Sequence, residues 1–493
     1  MNYVSTRNKN ISVTASEAIA MGISGDGGLF VPEYIPVIEF DEFKQLFKMN
    51  YKDRAAFILK KFLTDFTEEE IEYCVSGAYI GNFDNDEPAP LYTISDKCNI
   101  LELWHGPTCA FKDLALQLLP YLLTTSAKKV NGGKQTVILV ATSGDTGKAA
   151  LEGFCNVENT KIMVFYPNDG VSKMQKHQMD TQKGDNVYVS AINGNFDDAQ
   201  TAVKTIFTDK AAAEILENNN MKFSSANSIN WGRLVPQIIY YVSAYCELVN
   251  SGKFDGKFNV VVPTGNFGNI LAAYYAKQMG VPINKLICAS NSNNVLTDFL
   301  NDGLYDRNRK FYTTASPSMD ILVSSNLERM LFELSGRDDE LVKELLNKLS
   351  TDGKYQISEQ LHSKFTEVFF GGCCDDEATF VTIKKYYDDN NYLCDTHTAV
   401  ALNVYDSYCE KTNDNTVTVV ASTASPYKFA SSVLNALGFD SCDNEFETVK
   451  KLSEKTNTVI PTPIASLENV KPRFNNICDK QNIKSVVLKN LGL

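Results

Sequence analysis

The sequence HGPTCAFKD, residues 105–113, joins a glycine–proline turn directly to a lysine at the start of an apolar helix. Pro107 restricts the backbone of the turn, and the leucines that follow make one face of the helix apolar. A lysine in an apolar environment has its pKa lowered from about 10.4, so Lys112 would suit Schiff-base chemistry and proton transfer. Taken alone, however, Lys112 and Asp113 are better explained as an ordinary charge pair at the start of a helix than as a reactive site.

Outside this stretch, short β-branched runs alternate with helical patterns from about residue 97 onwards. Predicted strands occupy residues 135–140, 161–166, 186–189, 259–262 and 416–420. Strands that are apolar throughout and joined by helices predict parallel α/β sheets covered on both faces. A chain of 493 residues is also too long for one ordinary core, so two or three packed units are expected.

The predicted units are an N-terminal domain over residues 1–96, an α/β domain over 97–230 and a larger α/β domain over 231–493. In the first, Thr14 and Thr67 each precede a capping pattern that predicts a short helix. In the last, charged helices with one apolar face predict a helical insertion at about 297–390.

Polar residues cluster at three predicted strand-to-helix junctions, where open α/β sheets hold their ligands. The first, residues 141–147 (ATSGDTG), favours an anion at a helix N-terminus, or else a capped helix without a ligand. The second, 263–269 (PTGNFGN), has two glycines and predicts a nest of N–H groups for a phosphate. The third, 421–426 (ASTASP), offers hydroxyl groups that could also be simple caps. The first two match neither a P-loop nor a dinucleotide fingerprint.

A reactive lysine, a phosphate nest and a second anion site together favour pyridoxal phosphate, an electron sink held through one lysine and one phosphate. Metal chemistry is disfavoured, since the four histidines form no metal-binding motif and the twelve cysteines include no Cys-x-x-Cys pair. No metal ligands are therefore predicted.

The net charge of −13 and the pI near 5.0 argue against nucleic-acid or anionic-membrane partners. No signal or transit character is found at the start, and no run of about 18 apolar residues occurs. Scattered cysteines in such a chain indicate reduced thiols, so a cytoplasmic location is expected. The oligomeric state, monomer or homodimer, stays open.

Seven segments, in this order along the chain, resemble the threonine synthases of the fold type II pyridoxal-phosphate family in their longer microbial form. They are residues 5–8 (STRN), 25–32 (GDGGLFVP), 105–113, 142–147 (TSGDTG), 227–233 (NSINWGR), 265–268 (GNFG) and 422–424 (STA). The resemblance implies two parallel-sheet α/β domains with the cofactor between them.

The resemblance also implies a role for each site residue. Lys112 would form the Schiff base with the cofactor, Asp145 would lie near its 3-hydroxyl, and Thr423 would bond the pyridine nitrogen. The cofactor phosphate would be bound by Gly265, Asn266, Phe267, Gly268 and Asn269. The substrate carboxylate would be bound by Thr142, Ser143 and Thr146, and the substrate phosphate by Asn227, Ser228 and Arg233.

The implied reaction converts O-phospho-L-homoserine and water to L-threonine and phosphate. Two alternatives are another lyase of this fold, such as a threonine dehydratase, and an inactive relative that binds a phosphorylated ligand. Arg233 and residues 25–32 argue against the dehydratase. Ser425 stands where the family often has a histidine, which leaves that histidine's role without a residue here. His397 is interpreted as a packed or capping residue, and His105 as one that positions the turn.

Overall fold

The computed structural model describes residues 1–252, 254 and 256–493 and contains two parallel sheets. The larger sheet has, in spatial order, the strands Phe369–Cys373, Ile283–Ser290, Phe258–Pro263, Thr418–Ser422, Cys98–Glu102 and Leu91–Thr93. All are parallel except the last, an antiparallel edge strand. The smaller sheet is parallel throughout and has the order Ile477–Asp479, Val187–Asn193, Thr160–Pro167, Gln135–Ala141 and Met221–Ser225. The predicted α/β fold with parallel sheets is confirmed.

The N-terminal residues form an antiparallel sheet of Asn8–Val13, Tyr3–Ser5 and Phe30–Pro32, with four helices packed beside it. These helices are Ala15–Met21, Phe40–Leu46, Tyr51–Phe62 and Glu68–Tyr79. Thr14 and Thr67 each accept a hydrogen bond from the third helical N–H and form complete capping boxes, as the sequence predicts.

Helices cover both faces of the two sheets. Those beside the smaller sheet are Asp145–Gly153, Lys173–Asp180, Phe196–Thr208, Lys210–Asn218 and Ile483–Leu491, whereas Leu119–Val130 packs mainly against the N-terminal helices Ala15–Met21 and Glu68–Tyr79. Those around the larger sheet include Trp231–Asn250, Gly268–Gln278, Val295–Asp302, Glu359–Val368, Asp376–Asn390, Thr396–Thr412, Ala430–Ala436 and Glu445–Thr456. The largest buried apolar cluster extends from the N-terminal helices along Trp231–Asn250 to both sheets, and two smaller clusters cover their other faces.

The two sheets do not follow chain order. Cys98–Glu102 lies in the larger sheet beside Thr418–Ser422, whereas the C-terminal strand Ile477–Asp479 extends the smaller one. Within the expected helical insertion at 297–390, Phe369–Cys373 is an edge strand of the larger sheet rather than part of a helix. Two glycines make this strand possible, because a Cβ on Gly372 would lie 2.7 Å from Val404 Cγ1. The borders at 96/97 and 230/231 remain a prediction.

The central helix Trp231–Asn250 is anchored to the N-terminal helices by Arg54, which is buried. Arg54 Nη1 donates to Ser243 Oγ and to Glu247 Oε1, each at 2.7 Å. Ser243 Oγ in turn donates to Glu87 Oε1 at 3.4 Å. Burial raises the pKa of Glu87 to about 7, although the nearby Arg54 charge lowers it. The anchor therefore contains a carboxyl group that titrates near neutral pH.

We expect Glu87→Gln to stabilise the protein above pH 7. Glu87 has an ordinary pKa of 4.5 when exposed and about 7 when folded, so the folded state binds the proton more tightly. Stability should fall as pH rises from about 4.5 to about 7, in total by roughly 3 kcal/mol, and the amide removes this loss. Melting temperatures at pH 5 and pH 8 test it: the gap between variant and parent should widen at pH 8. Asp86→Asn, at a neighbouring exposed carboxylate, is the control; equal pH dependence in all three proteins would contradict the prediction.

Candidate active site

The turn before Lys112 is bonded to the end of the strand Thr418–Ser422. Phe111 N donates to Thr423 O at 2.9 Å, and Ala110 forms an antiparallel bridge with Ala424. These backbone contacts fix the first turn of the helix Lys112–Leu116 against the third predicted junction. Lys112 and the Thr423 hydroxyl therefore line one cavity, although about three hundred residues separate them.

The buried side chain of Asp113 stabilises the turn that precedes Lys112. Its fully buried carboxylate accepts from Thr108 N at 2.8 Å and from Thr108 Oγ1 at 2.6 Å. Burial raises the pKa of Asp113 to about 6, although these hydrogen bonds act in the opposite direction and lower it. Gly106 allows the close approach, because a Cβ at this position would lie 2.4 Å from Asp113 Cβ. Asp113 thus shapes the turn and leaves Lys112 to face the cavity.

Asp145 lies between two lysines at the centre of the site. Its Oδ2 is 3.2 Å from Lys112 Nζ, and its Oδ1 is 2.8 Å from Lys428 Nζ. Gln175 Nε2 donates to the same Oδ1 at 2.8 Å, and Ser318 Oγ donates to Oδ2 at 3.2 Å. Burial alone would raise the pKa of Asp145, but the two lysines hold it well below its usual value.

Burial lowers the pKa of Lys112, and the Lys428 charge lowers it further, while Asp145 opposes both. The Lys112 side chain is almost completely buried, as its proposed chemistry requires. A buried amine beside a second cation loses its proton more easily than a surface lysine does. The Lys112 amine is therefore a better candidate nucleophile than the amine of an exposed lysine.

The loop of residues 265–269 begins the helix Gly268–Gln278 at the end of Phe258–Pro263. Phe267 has a φ of +62°, so the chain turns left-handed at the start of the helix. Asn269 Oδ1 accepts from the hydroxyls of Tyr240 and Tyr241 at 2.7 and 2.5 Å. Asn269 Nδ2 is buried and has no partner among the described residues. An unpaired buried donor on a helix-start loop fits a phosphate.

Arg233 supplies a second unpaired donor to the same cavity. Its Nη1 donates to Ala226 O at 2.5 Å, whereas its buried Nε has no partner within the described part of the chain. Burial lowers the pKa of this guanidinium to about 10, still far above neutral pH. Ser228, also at the cavity, accepts from Asn326 Nδ2 through its Oγ at 3.1 Å. A buried cation with a free N–H is arranged to bind an anion.

Most of the predicted site residues line this one cavity. They are Lys112, Asp145, Thr146, Ser228, Arg233, Gly265, Asn266, Phe267, Gly268, Asn269 and Thr423. Thr142, Ser143 and Asn227 lie outside its lining. Thr142 Oγ1 accepts from Gly144 N and Gly147 N at 2.9 Å, and Asn227 Nδ2 donates to Ala141 O at 2.9 Å. Thr142 and Asn227 therefore brace the loop in this structure, and substrate contact by all three stays a prediction.

Several residues of the site were not predicted, among them Gln175, Ser318 and Lys428. Lys428 follows the third junction within the PYKF sequence, so its position there was the available signal. The only sequence signal at Gln175 was a helix-capping pattern with Ser172, and the structure contains this capping box. Ser318 lies in the short 3-10 helix Pro317–Met319, where no periodic pattern marks it.

The two histidines near the site are held by carboxylates. His397 Nδ1 lies 2.7 Å from Asp395 Oδ2, and its Nε2 accepts from Ser318 N at 3.1 Å. His105 contacts Asp84 at 2.7 Å and Glu102 at 3.0 Å. Burial alone would lower the pKa of His105, but these two carboxylates raise it. Both rings thus hold neighbouring segments in place.

The residues around the cavity fit pyridoxal phosphate. One buried lysine reaches the cavity, a glycine-containing loop with a free amide donor faces it, and Thr423 offers a neutral hydroxyl. Among the described residues, no group of three or more His, Cys, Asp or Glu could hold a metal ion. Together with the two parallel sheets, this site places the chain in the fold type II class of pyridoxal-phosphate-dependent proteins.

Within that class, the chain belongs to the threonine synthase family. Residues 2–79 match "Threonine synthase N terminus", 97–346 match "Pyridoxal-phosphate dependent enzyme" and 398–487 match "Threonine synthase, C-terminal". The chain is 37% identical over 486 residues to the threonine synthase of Saccharomyces cerevisiae, covering 93% of each. The crystal structure of PLP-bound threonine synthase from Brucella melitensis has a TM-score of 0.87 and 36% identity, covering 99% of this chain and 98% of that one.

Human threonine synthase-like 1 is 41% identical over 468 residues, which cover 92% of this chain. The chain spans 62% of the length of that human protein. No helix in the described part of the chain has the length and apolar character needed to cross a membrane.

Proposed function

We propose that the chain is a threonine synthase that converts O-phospho-L-homoserine and water to L-threonine and phosphate. The observation that supports this most strongly is the pairing of Lys112 with Arg233 in one cavity. Lys112 suits proton transfer at carbon, and Arg233 has a free donor for a second anion beside the 265–269 loop. A site with two anion-binding positions fits a phosphorylated amino acid and a phosphorylated cofactor.

Bound pyridoxal phosphate would supply the electron sink that makes the protons at Cα and Cβ of the substrate acidic. Lys112 would remove the Cα proton and then a Cβ proton, and the lowered pKa of its buried amine favours this role as a base. Arg233 and Ser228 would hold the phosphate that leaves from Cγ. Their hydrogen bonds would strengthen as charge develops on the leaving oxygen. A proton would then return to Cγ, the OH of water would add at Cβ while its other proton balances the released phosphate, and a second proton would return to Cα.

The remaining cavity residues would orient the two ligands. Thr146 and the N–H groups of the 141–147 loop would bind the substrate carboxylate, with Thr142 and Ser143 completing that loop. The N–H groups of residues 265–269 would bind the cofactor phosphate, and the Thr423 hydroxyl would bond the pyridine nitrogen. Asp145 would lie near the cofactor hydroxyl, held ionised by Lys428.

An assay with phosphohomoserine tests the proposal. We expect threonine and phosphate to appear in equal amounts, and a pyridoxal-phosphate absorbance band in the purified protein. Faster formation of 2-oxobutyrate from threonine would favour a dehydratase. Absence of the band even after pyridoxal phosphate is added would favour an inactive relative that binds a phosphorylated ligand.

Lys428→Met should shift the pH dependence of cofactor association to higher pH. The variant removes the cation 2.8 Å from Asp145, and with it a like charge that lowers the pKa of Lys112. The Lys112 amine would then stay protonated to higher pH, and a protonated amine is not a nucleophile. Stopped-flow absorbance with apoprotein and pyridoxal phosphate across pH 6–10 measures the shift. Lys428→Arg keeps the charge and should keep the parent profile; an unshifted profile in Lys428→Met would refute the role of this charge.

We also propose a cytoplasmic location, because all twelve cysteines are free thiols. We also propose the division into an N-terminal domain and two α/β domains, with one change. The strand Cys98–Glu102 belongs with the larger sheet and the strand Ile477–Asp479 with the smaller sheet, so the two α/β domains exchange these segments.

A further inference from the structure

A second cavity, of about 810 Å³, lies apart from the proposed active site. It is bounded by the N-terminal residues 21–29, by the helix Lys210–Asn218 with the strand Met221–Ser225, and by the helix Asp339–Thr351. None of its lining residues lines the first cavity. Its volume is within the range of small-molecule sites. A ligand here would contact three parts of the fold at once.

The cavity is positively charged although the whole chain is acidic. Five cationic and two acidic side chains line it. Both acids are already paired, since Arg7 bonds Glu328 in a fork with two 2.8 Å contacts, and Lys134 bonds Glu217.

Three of the lining cations have no ion pair within the described residues: Lys210, Lys222 and Arg307. Lys222 Nζ reaches Asn131 Oδ1 at 3.4 Å, and Arg307 Nη2 donates to Ser350 O at 3.1 Å. Lys222 and Arg307 are half-buried, so their charges are less screened by water than those of surface residues. The charge of this cavity is complementary to an anion.

The same cavity has an apolar side. Phe207 and Phe223 pack edge to face, with ring centroids 5.9 Å apart and planes at 82°. Met21, Met221 and Leu346 also line it, and all are only half-buried. Apolar side chains opposite unpaired cations fit a molecule that carries an acidic group on an aromatic or aliphatic body.

A two-serine wall, Ser324 and Ser325, separates this cavity from the proposed active site. Ser324 Oγ donates to Gly265 O at 2.8 Å, and Ser325 Oγ donates to Asn266 Oδ1 at 3.3 Å. Both serines line the second cavity, whereas Gly265 and Asn266 line the first. A ligand that touches this wall acts directly on the loop expected to bind the cofactor phosphate.

We propose that the second cavity is a binding site for a small amphipathic organic anion, and that its occupancy changes the affinity of the phosphate loop for the cofactor. The ligand class is a phosphate, sulfonate or carboxylate on an apolar body. Such coupling is reciprocal, so the cofactor and the anion alter each other's affinity by the same factor.

The test uses 8-anilino-1-naphthalenesulfonate, an aromatic sulfonate, with the cofactor-loaded protein. We expect saturable fluorescence enhancement with one site per chain. Lys222→Met and Arg307→Met should each weaken binding by about fivefold or more. Asn347→Trp, at an exposed helix position on the cavity rim, should block binding by filling the space. Lys343→Met, on the same helix but outside this cavity, is the matched control and should bind normally.

Affinity that is unchanged in all three cavity variants would overturn the site. Loss of binding in Arg233→Ala with retention in Lys222→Met would also overturn it, because the probe would then occupy the active site. Cofactor dissociation, followed by its visible absorbance with and without saturating probe, tests the coupling. We expect the dissociation constant to change severalfold in the parent and to stay constant in Asn347→Trp; an identical constant with and without probe in the parent refutes coupling.

Discussion

Lys112→Ala should abolish covalent attachment of pyridoxal phosphate and lower threonine formation by roughly 10⁴-fold or more. Lys112 Nζ lies in the cavity beside Asp145 and is the amine placed to form the cofactor link. The variant also loses the base proposed for the two proton transfers, so both binding and catalysis should fail together. The visible spectrum after dialysis, mass spectrometry after borohydride reduction and phosphate release measure the three losses.

Lys148→Met is the matched control for this substitution. Among the described residues, Lys148 is one of three buried lysines, with Lys112 and Lys428, and lies in the helix Asp145–Gly153; it bonds Glu152 and Gln182 and does not line the cavity. It should keep the absorbance band and lose only stability. A Lys112→Ala protein that still forms a covalent cofactor adduct, or a Lys148→Met protein that does not, would show that another lysine is the reactive one.

Arg233→Ala should lower kcat/KM for phosphohomoserine by about 10²–10³-fold, equivalent to about 3–4 kcal/mol, while the cofactor band persists. The loss is large because the guanidinium is buried and its Nε has no partner among the described residues until an anion arrives. Steady-state kinetics with phosphohomoserine, together with the visible spectrum of each variant, provide the measurement. Arg233→Lys keeps the charge without the planar fork, so an intermediate loss is expected.

Arg54→Lys distinguishes this effect from simple burial of an arginine. Arg54 is also buried, but its nitrogens donate to Leu46 O, Ser243 Oγ and Glu247 Oε1, and it does not line the cavity. Its replacement should lower the melting temperature with little change in KM. If Arg233→Ala loses the cofactor instead of substrate affinity, the two phosphate positions are reversed.

The sequence alone was enough to predict the parallel sheets and most of the cavity. The apolar strands could be predicted because both faces are buried, and the loops at their carboxyl ends meet at one edge. Thr423 lies in such a junction, whereas Lys112 was singled out by the turn and the apolar helix around it, and the roles of both came from the family resemblance. The capping boxes at Thr14 and Thr67 came from local pattern.

Other features depend on contacts that no local pattern contains. Lys428 pairs with Asp145, from which it is separated by most of the chain. The residues around Lys428 do not indicate which carboxylate it pairs with. The Thr142 hydroxyl is occupied by two backbone N–H groups of its own loop, which spacing alone does not distinguish from ligand binding. The strand Phe369–Cys373 contains two glycines and follows a charged helix, so it lacks the usual strand signal.

The hydrogen bond between Phe111 N and Thr423 O determines when the turn before Lys112 can form during synthesis. Ribosomes produce Lys112 about three hundred residues before the segment that holds its turn and before the Lys428 charge beside Asp145. The strand Cys98–Glu102 likewise cannot pair until its neighbour Thr418–Ser422 has been synthesised. Long-range pairing of this kind is slow to form. A growing chain therefore exposes an incomplete larger sheet until residues 418–428 have emerged, and the surroundings of Lys112 are complete only then.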